Sequence, residues 1–442
     1  MRIQLSDHFN YRKLLRFCIS PMAMMIFVSI YGVVDGLFVS NFVGKSSFAA
    51  INLIMPVTYI LGGLGFMAGT GGSALVGKTL GEGKNEKASD YFTMMVKFIL
   101  VVGSAASLVV AVIMKPVAVA LGADQSTLRD CVVYGTIIAL FNPACMLQNM
   151  FQNFLTTAEK PKLGLTATVL SGVTNMALDA LFVAVFRWGV AGAALATGIS
   201  QCVGSIFPLI YFARPNDSLL HLTRAKMEWE PVGKACWNGF SELLSNVSGS
   251  IVSMAYNFQL LKYAGNDGVA AYGVLMYLDF VFIAVFIGYS IGTAPIVSFH
   301  YGAGNRDELK NILKKSTVLT LISGLCMMFF SEMIAVPLSE IFVGYDSRLL
   351  DMTVHAFHLF VLSFVFVGFN IFASSFFTAL NDGGISALIS FLRTVVFQLI
   401  PIQFLPLIWG LDGIWSALTV SEGLAFLLSA GFILAKRRKY GY

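Results

Sequence analysis

The sequence predicts an all-α membrane protein of twelve transmembrane helices, arranged as two six-helix bundles related by a pseudo-two-fold axis along the membrane normal. Hydrophobic residues make up 57% of the 442 and charged residues only 12%, with mean hydropathy +0.77, far outside the range of soluble domains. Residues 46–77, 131–158 and 188–213 each contain no Asp, Glu, Lys or Arg, and each exceeds the roughly 20 residues that a helix needs to cross the hydrocarbon. The third observation is an internal duplication at one fixed offset.

From the N-terminus, a basic stretch (Arg2, Arg12, Lys13, Arg16) leads into an apolar run. That run continues for a full span without a small-residue cleavage site, so it reads as an uncleaved first helix and not as a signal peptide. Cutting the chain at charged, Gly-rich turns places spans near residues 28, 62, 103, 143, 174, 201, 247, 283, 322, 366, 397 and 424. With both termini on one side, 21 of the 29 Lys and Arg fall on that side. Six fall opposite (Lys45, Lys115, Arg129, Arg187, Lys262, Arg348), and Lys97 and Arg393 lie within spans. The positive-inside rule then puts both termini in the cytoplasm. The organisation expected is an N-lobe of residues 1–214, a cytoplasmic linker of 215–231 that need only tether, and a C-lobe of 232–442. The six cysteines lack paired spacing and read as packing residues, not disulfides or zinc ligands.

The duplication recurs at an offset of 221. It relates Gly44 to Gly265, Ala49-Ala50 to Ala270-Ala271, Gly81 and Gly83 to Gly302 and Gly304, Pro116 to Pro337, and Asn149 to Asn370. Thr157-Ala158 with Thr378-Ala379, and Gly189 and Gly192 with Gly410 and Gly413, keep the same spacing. Each repeat has an even number of spans, so the halves share one orientation and rock about a midplane cavity. The turns Gly81-Glu82-Gly83-Lys84 and Gly302-Ala303-Gly304-Asn305 join span 2 to span 3 of each half. A phosphate-binding reading of these turns is weak, since no strand precedes them.

An ionisable side chain near the bilayer centre costs roughly 2.5–3.5 kcal/mol on insertion scales, which makes each one a functional candidate. Helical rise places Asp35, Asp179 and Thr197 roughly 12–15 Å below the outer surface. Asn175, four residues before Asp179, shares its helix face. Asp35, Asn175, Asp179 and Thr197 can therefore build one all-oxygen site from helices 1, 5 and 6, suited to a hard cation such as Na+ or to shared protons. The alternative is that each is satisfied separately in a helix interface. The offset maps Asp35, Asn175, Asp179 and Thr197 to Tyr256, Val396, Ile400 and Leu418, so the second half lacks this site.

Other intramembrane polar residues keep two readings. Asp279, near the midplane of helix 8, is a candidate contact for a cationic substrate or an interhelical bond. Glu242 and Arg393 are placed in the inner half as a candidate ion pair. Gln148, Asn149, Gln152 and Asn153 form a strip that would line a cavity or bind helices together. Glu422, His355 and His358 need only one polar partner each. Pro21 can bend helix 1 and couple Asp35 to cavity shape, or it is an ordinary membrane proline.

With twelve spans, a six-plus-six duplication, the Gly-x-Gly turns after helices 2 and 8, and Val33-Val34-Asp35-Gly36-Leu37-Phe38-Val39-Ser40 in helix 1, the chain resembles the multidrug and toxic compound extrusion (MATE) family over essentially its whole length. Asp35, Asn175-Met176-Ala177-Leu178-Asp179 and Thr197 match the N-lobe site of its prokaryotic branch related to the DNA-damage-inducible transporters. The resemblance implies a rocker-switch antiporter in a bacterial-type inner membrane, exporting cationic or amphipathic drugs in exchange for H+ or Na+. It also implies a monomer with no cofactor, no nucleic-acid partner and no metal beyond Na+ at Asp35 and Asp179. A second branch places coupling acids in the C-lobe, a pattern that Glu242 and Asp279 do not match residue by residue. The transport alternative is a flippase for lipid-linked oligosaccharide, which would want a strongly cationic cavity. No nucleophile–base pair or metal-ligand motif points to an enzyme.

Overall fold

The computed structural model describes residues 3–442. Met1 and Arg2 lie outside the described residues, as do the side chains of Leu37, Lys45 and Ser46. Among the described residues the chain is helical and forms no strand. The spans are α1 (Tyr11–Phe42), α2 (Ser47–Gly81), α3 (Asn85–Val112), α4 (Leu128–Thr157), α5 (Pro161–Val185) and α6 (Gly189–Ala213) in the first half. The run Trp229–Gly302 breaks at Gly265 (φ 62°, ψ −150°). It divides into a short helix (Trp229–Asn238) and two crossings, α7 (240–264) and α8 (266–302). They are followed by α9 (Arg306–Val343), α10 (Ser347–Ala379), α11 (Gly383–Trp409) and α12 (Leu411–Tyr440).

Local chemistry sets the ends of several spans. Asn10 caps α1 by accepting from the Lys13 amide at 2.8 Å, and Asn305 caps α9 by accepting from Glu308 N at 3.1 Å. Pro161 opens α5, where its missing N–H costs nothing. The duplication reappears in backbone conformation: Gly44, Gly83 and Gly189 have φ of 105°, 77° and 60°, and their partners Gly265, Gly304 and Gly410 have 62°, 68° and 57°. Only glycine adopts such angles without strain, so the repeated glycines of the sequence are repeated turns.

The two halves meet through glycine at the end of the bundle that carries both termini. A Cβ on Gly81 would lie 2.0 Å from the carbonyl oxygen of Phe299, and one on Gly302 would lie 2.0 Å from that of Lys78. Gly71 against Ala235 and Gly239 against Met67 repeat the pattern. Such small-residue contacts let helix backbones approach where no hydrophobic force favours protein over lipid. The N-terminal segment ties this end across both halves: Leu5 N donates to Glu159 Oε1 at 2.7 Å and Phe9 N donates to Glu308 Oε1 at 2.9 Å. At the other terminus, the ring of Tyr440 packs edge-on against that of Tyr301.

The connector is more than a tether. Thr223 N donates to Thr93 Oγ1 at 2.9 Å, Thr223 Oγ1 donates to Asp90 Oδ1 at 2.6 Å, and Lys97 Nζ donates to Ala225 O at 2.5 Å. Leu220 is fully buried with Phe92, Phe151, Phe154 and Phe212 of the first half. Helix also begins at Trp229, inside the segment that the sequence assigns to the linker.

Gly302→Val would put a branched side chain into the Lys78 backbone, an overpacking that costs about 1–3 kcal/mol. Spin labels at Glu82 and Asn305 are expected to show a longer, broader distance distribution in the variant. An unchanged distribution would mean that this contact does not set the spacing of the halves.

Candidate functional site

Asp35 projects from α1, Asn175 and Asp179 from successive turns of α5, and Thr197 from α6. Asn175 and Asp179 are fully buried, whereas Asp35 and Thr197 are half-buried. The three helices pack on one another, and Asp35 lies within direct interaction range of Asp179 and Asn175. Directly after Asp179 the backbone winds as a π-helical turn over Ala180–Val185. Such turns are frequent at functional sites because the extra residue re-aims neighbouring side chains.

The electrostatic signature of the pocket is a set of buried acceptors without donors. Asp35 Oδ1, Asn175 Oδ1, both carboxyl oxygens of Asp179 and Thr197 Oγ1 have no hydrogen-bond partner among the described residues. Gln201 Oε1 is in the same condition. A buried carboxylate without a partner is costly, and here two share one site, so the arrangement asks for a cation or for protons. Two carboxylates with amide and hydroxyl oxygens suit a hard monovalent cation.

Two further polar side chains near these residues escaped the sequence reading. Gln201 lies one turn after Thr197 on the same face of α6, and the i+4 spacing could have found it. Tyr134 of α4 is buried within electrostatic reach of both Asp35 and Asp179; no local pattern in α4 distinguishes it from other buried aromatics.

The remaining candidates separate in the structure. Gln148 Nε2 donates to Ser171 Oγ of α5 at 3.3 Å and Asn149 Nδ2 to Gly62 O of α2 at 3.4 Å, which is the helix-binding alternative. Asn153 donates back to Asn149 O at 3.3 Å, and only Gln152 keeps a buried oxygen, Oε1, without a partner. Pro21 lies inside an unbroken α1, at the contact between halves, where a Cβ on Gly288 would sit 2.6 Å from Pro21 O. The expected pairing of Arg393 with Glu242 is not the direct one. Arg393 bonds to Glu422 of α12, Nη2 to Oε1 at 2.9 Å, and Glu242 stays within electrostatic range only. The reach of the arginine side chain lets it choose a neighbouring helix over the one at its own depth. Asp279 keeps a buried Oδ1 without a partner. His355 pairs with Asp412 at 2.8 Å and His358 pairs with Glu332.

The pocket depends on close helix packing around Gly198, the neighbour of Thr197. A Cβ there would lie 2.4 Å from Cγ and 2.9 Å from Cβ of Phe141, and the Phe141 Cβ is held by the backbone of α4. Gly198→Ala is expected to cost about 1–3 kcal/mol, read as a lower midpoint of thermal unfolding; an unchanged midpoint would show that α4 and α6 have slack.

Comparison with known proteins shows two matches to the MatE family model, at residues 21–181 and 243–403. Their spacing agrees with the 221-residue duplication to within one residue. Among curated proteins, the multidrug export protein MepA of Staphylococcus saprophyticus is 25% identical over 426 residues, spanning 94% of this chain and 92% of that protein. Among solved structures, an outward-facing multidrug resistance MATE family transporter of the MOP superfamily matches with TM-score 0.91 and 21% identity, over 98% of each chain. A MATE protein in complex with MaL6 matches with TM-score 0.90 and 22% identity over the same share.

Proposed function

The chain belongs to the MatE family, and we propose that it is a multidrug efflux transporter: an antiporter that exports cationic or amphipathic small molecules in exchange for H+ or Na+ taken up at Asp35, Asn175, Asp179 and Thr197. The observation that carries this reading is that Asp35, Asn175 and both carboxyl oxygens of Asp179 are buried acceptors without donors on packed helices of the first half. The names of its relatives, a multidrug export protein and a multidrug resistance transporter, support the substrate class.

The proposed cycle is alternating access between two rocking lobes. The glycine contacts close the end that carries the termini, which the Lys and Arg excess assigns to the cytoplasm of a bacterial-type inner membrane. With that end closed, the proposed cycle has a cation enter the N-lobe site from the outside. Its binding neutralises the carboxylates and favours substrate release; discharge inward resets the pump. Coupling requires that the cation bind the two states with different affinity. Pro21, at the contact with Gly288, is where α1 can bend without losing a backbone bond it never had. One charge crossing 100 mV supplies about 2.3 kcal/mol, and a tenfold gradient about 1.4 kcal/mol.

The flippase alternative would use a cationic cavity. Both intramembrane basic residues are already engaged, Arg393 by Glu422 and Lys97 by the Ala225 carbonyl, which favours the drug-export reading.

Ethidium efflux from reconstituted vesicles, under an imposed pH gradient and then an imposed Na+ gradient, tests the proposal. Wild type is expected to follow at least one gradient, and Asp179→Asn to lose at least about tenfold of the coupled rate, roughly the 1.4 kcal/mol step of one lost gradient decade or more. Efflux indifferent to both gradients, or unchanged in the folded variant, refutes the assignment.

A further inference from the structure

The second half lacks the oxygens of the N-lobe site and carries a buried ion pair on the corresponding helices instead. The 221-residue offset, fixed by the matching turn glycines, carries Asp35 to Tyr256, Gly172 to Arg393 and Gln201 to Glu422. The pocket of the first half is ringed by oxygens without donors. In the second half Asn175, Asp179 and Thr197 map to Val396, Ile400 and Leu418, and the corresponding helices α11 and α12 carry an arginine and an acid.

Arg393 lies on a π-helical turn of α11, Leu392–Val396. Its Nε donates to Glu422 Oε1 at 2.9 Å and Oε2 at 3.0 Å, and its Nη2 reaches Oε1 at 2.9 Å. Asn370 Nδ2 completes the carboxylate shell, donating to Oε2 at 2.7 Å and to the Glu422 carbonyl at 2.9 Å. The Glu422 side chain is 2% exposed and that of Arg393 15%. Asp279 of α8 and Glu242 of α7 face the same guanidinium within electrostatic range. The Tyr256 hydroxyl and Asn370 Oδ1 are buried without partners, so the site retains free polar atoms around the pair.

We propose that Arg393 is a tethered cation that neutralises the buried Glu422 carboxylate between α11 and α12, and that this site accepts a free cation of guanidinium shape only when the Arg393 side chain is absent. A planar guanidinium matches a carboxylate with two parallel bonds, so the ligand class of the emptied site is an alkylguanidinium, with inorganic monovalent cations as weaker substitutes. The consequence for transport is that Glu422 keeps its counter-charge through the cycle and takes up no cation of its own. That consequence rests on the antiport reading; the tethered cation itself does not.

The test is chemical rescue on the purified full chain, and it does not use transport, so its failure is separate from failure of the antiport reading. Arg393→Ala leaves Glu422 buried without its counter-charge, and the midpoint of thermal unfolding is expected to fall by on the order of 5 °C or more. Millimolar ethylguanidinium chloride should recover most of that loss, while tetramethylammonium chloride at equal ionic strength should not, and wild type should gain nothing. The Arg393→Gln/Glu422→Gln double variant, which removes both charges, should fold and ignore ethylguanidinium. The proposal is overturned if Arg393→Ala is as stable as wild type, if ethylguanidinium fails to restore it, or if the double variant responds as well. Should Arg393→Ala not yield folded protein, the double variant still decides: Arg393 is needed only as a counter-charge, so a double variant that also fails to fold sinks the idea.

Discussion

Hydrocarbon offers no hydrogen bonds, so every polar group that this chain carries into the bilayer must find its partner inside the protein. Most of the molecule obeys that constraint by the shortest route. Thr79, Thr293 and Thr320 donate to carbonyls one turn back on their own helices, and Gln148 and Asn149 reach adjacent helices. Against that background the orphaned oxygens of Asp35, Asn175, Asp179, Thr197 and Gln201 are a concentrated exception. A protein held at the margin of stability keeps such an exception where something arrives to satisfy it. In the proposed reading the site therefore links folding energetics to occupancy, because a bound cation would satisfy the two carboxylates that the helices leave without donors.

Occupancy can become motion only if the halves are joined by contacts that are close yet separable. The glycine approaches at Gly71, Gly81, Gly239 and Gly302 are backbone to backbone. They gain dispersion energy only while the surfaces match, and parting them strands no buried charge. The N-terminal segment adds two directed bonds across the same end, to Glu159 and Glu308, on the side where water can replace them. A seam of this kind holds one arrangement without locking it.

What could be read from the sequence follows the same physics. Spans and duplication were legible because the bilayer imposes length and apolarity, and because a left-handed backbone at Gly83 or Gly304 admits almost no other residue. Asp35, Asn175 and Asp179 could be grouped because rise per residue sets depth and four-residue spacing sets face. Partner choice was not legible. Depth alone paired Arg393 with Glu242, but an arginine spans several ångströms and met Glu422 on α12 instead. The connector looked like a tether because side-chain to backbone bonds such as Lys97 to Ala225 leave no periodic trace. Gln201 was overlooked for want of a charge, although its spacing from Thr197 was in plain view.

The contrast between the halves bears on energy conversion. In the proposed antiport cycle, with Glu422 neutralised from within by Arg393, the N-lobe contribution to the charge moved is set by Asp35 and Asp179 and by the substrate. Exchange of one H+ for one monovalent organic cation moves no net charge, so the membrane potential contributes nothing and only the ion gradient drives export. Filling both N-lobe carboxylates moves one extra charge and adds about 2.3 kcal/mol per 100 mV, more than a further tenfold gradient supplies. An uncompensated Glu422 would add one more acid to that count. A guanidinium fixed by covalent attachment removes Glu422 from it, because the charge cannot be lost to either side of the membrane.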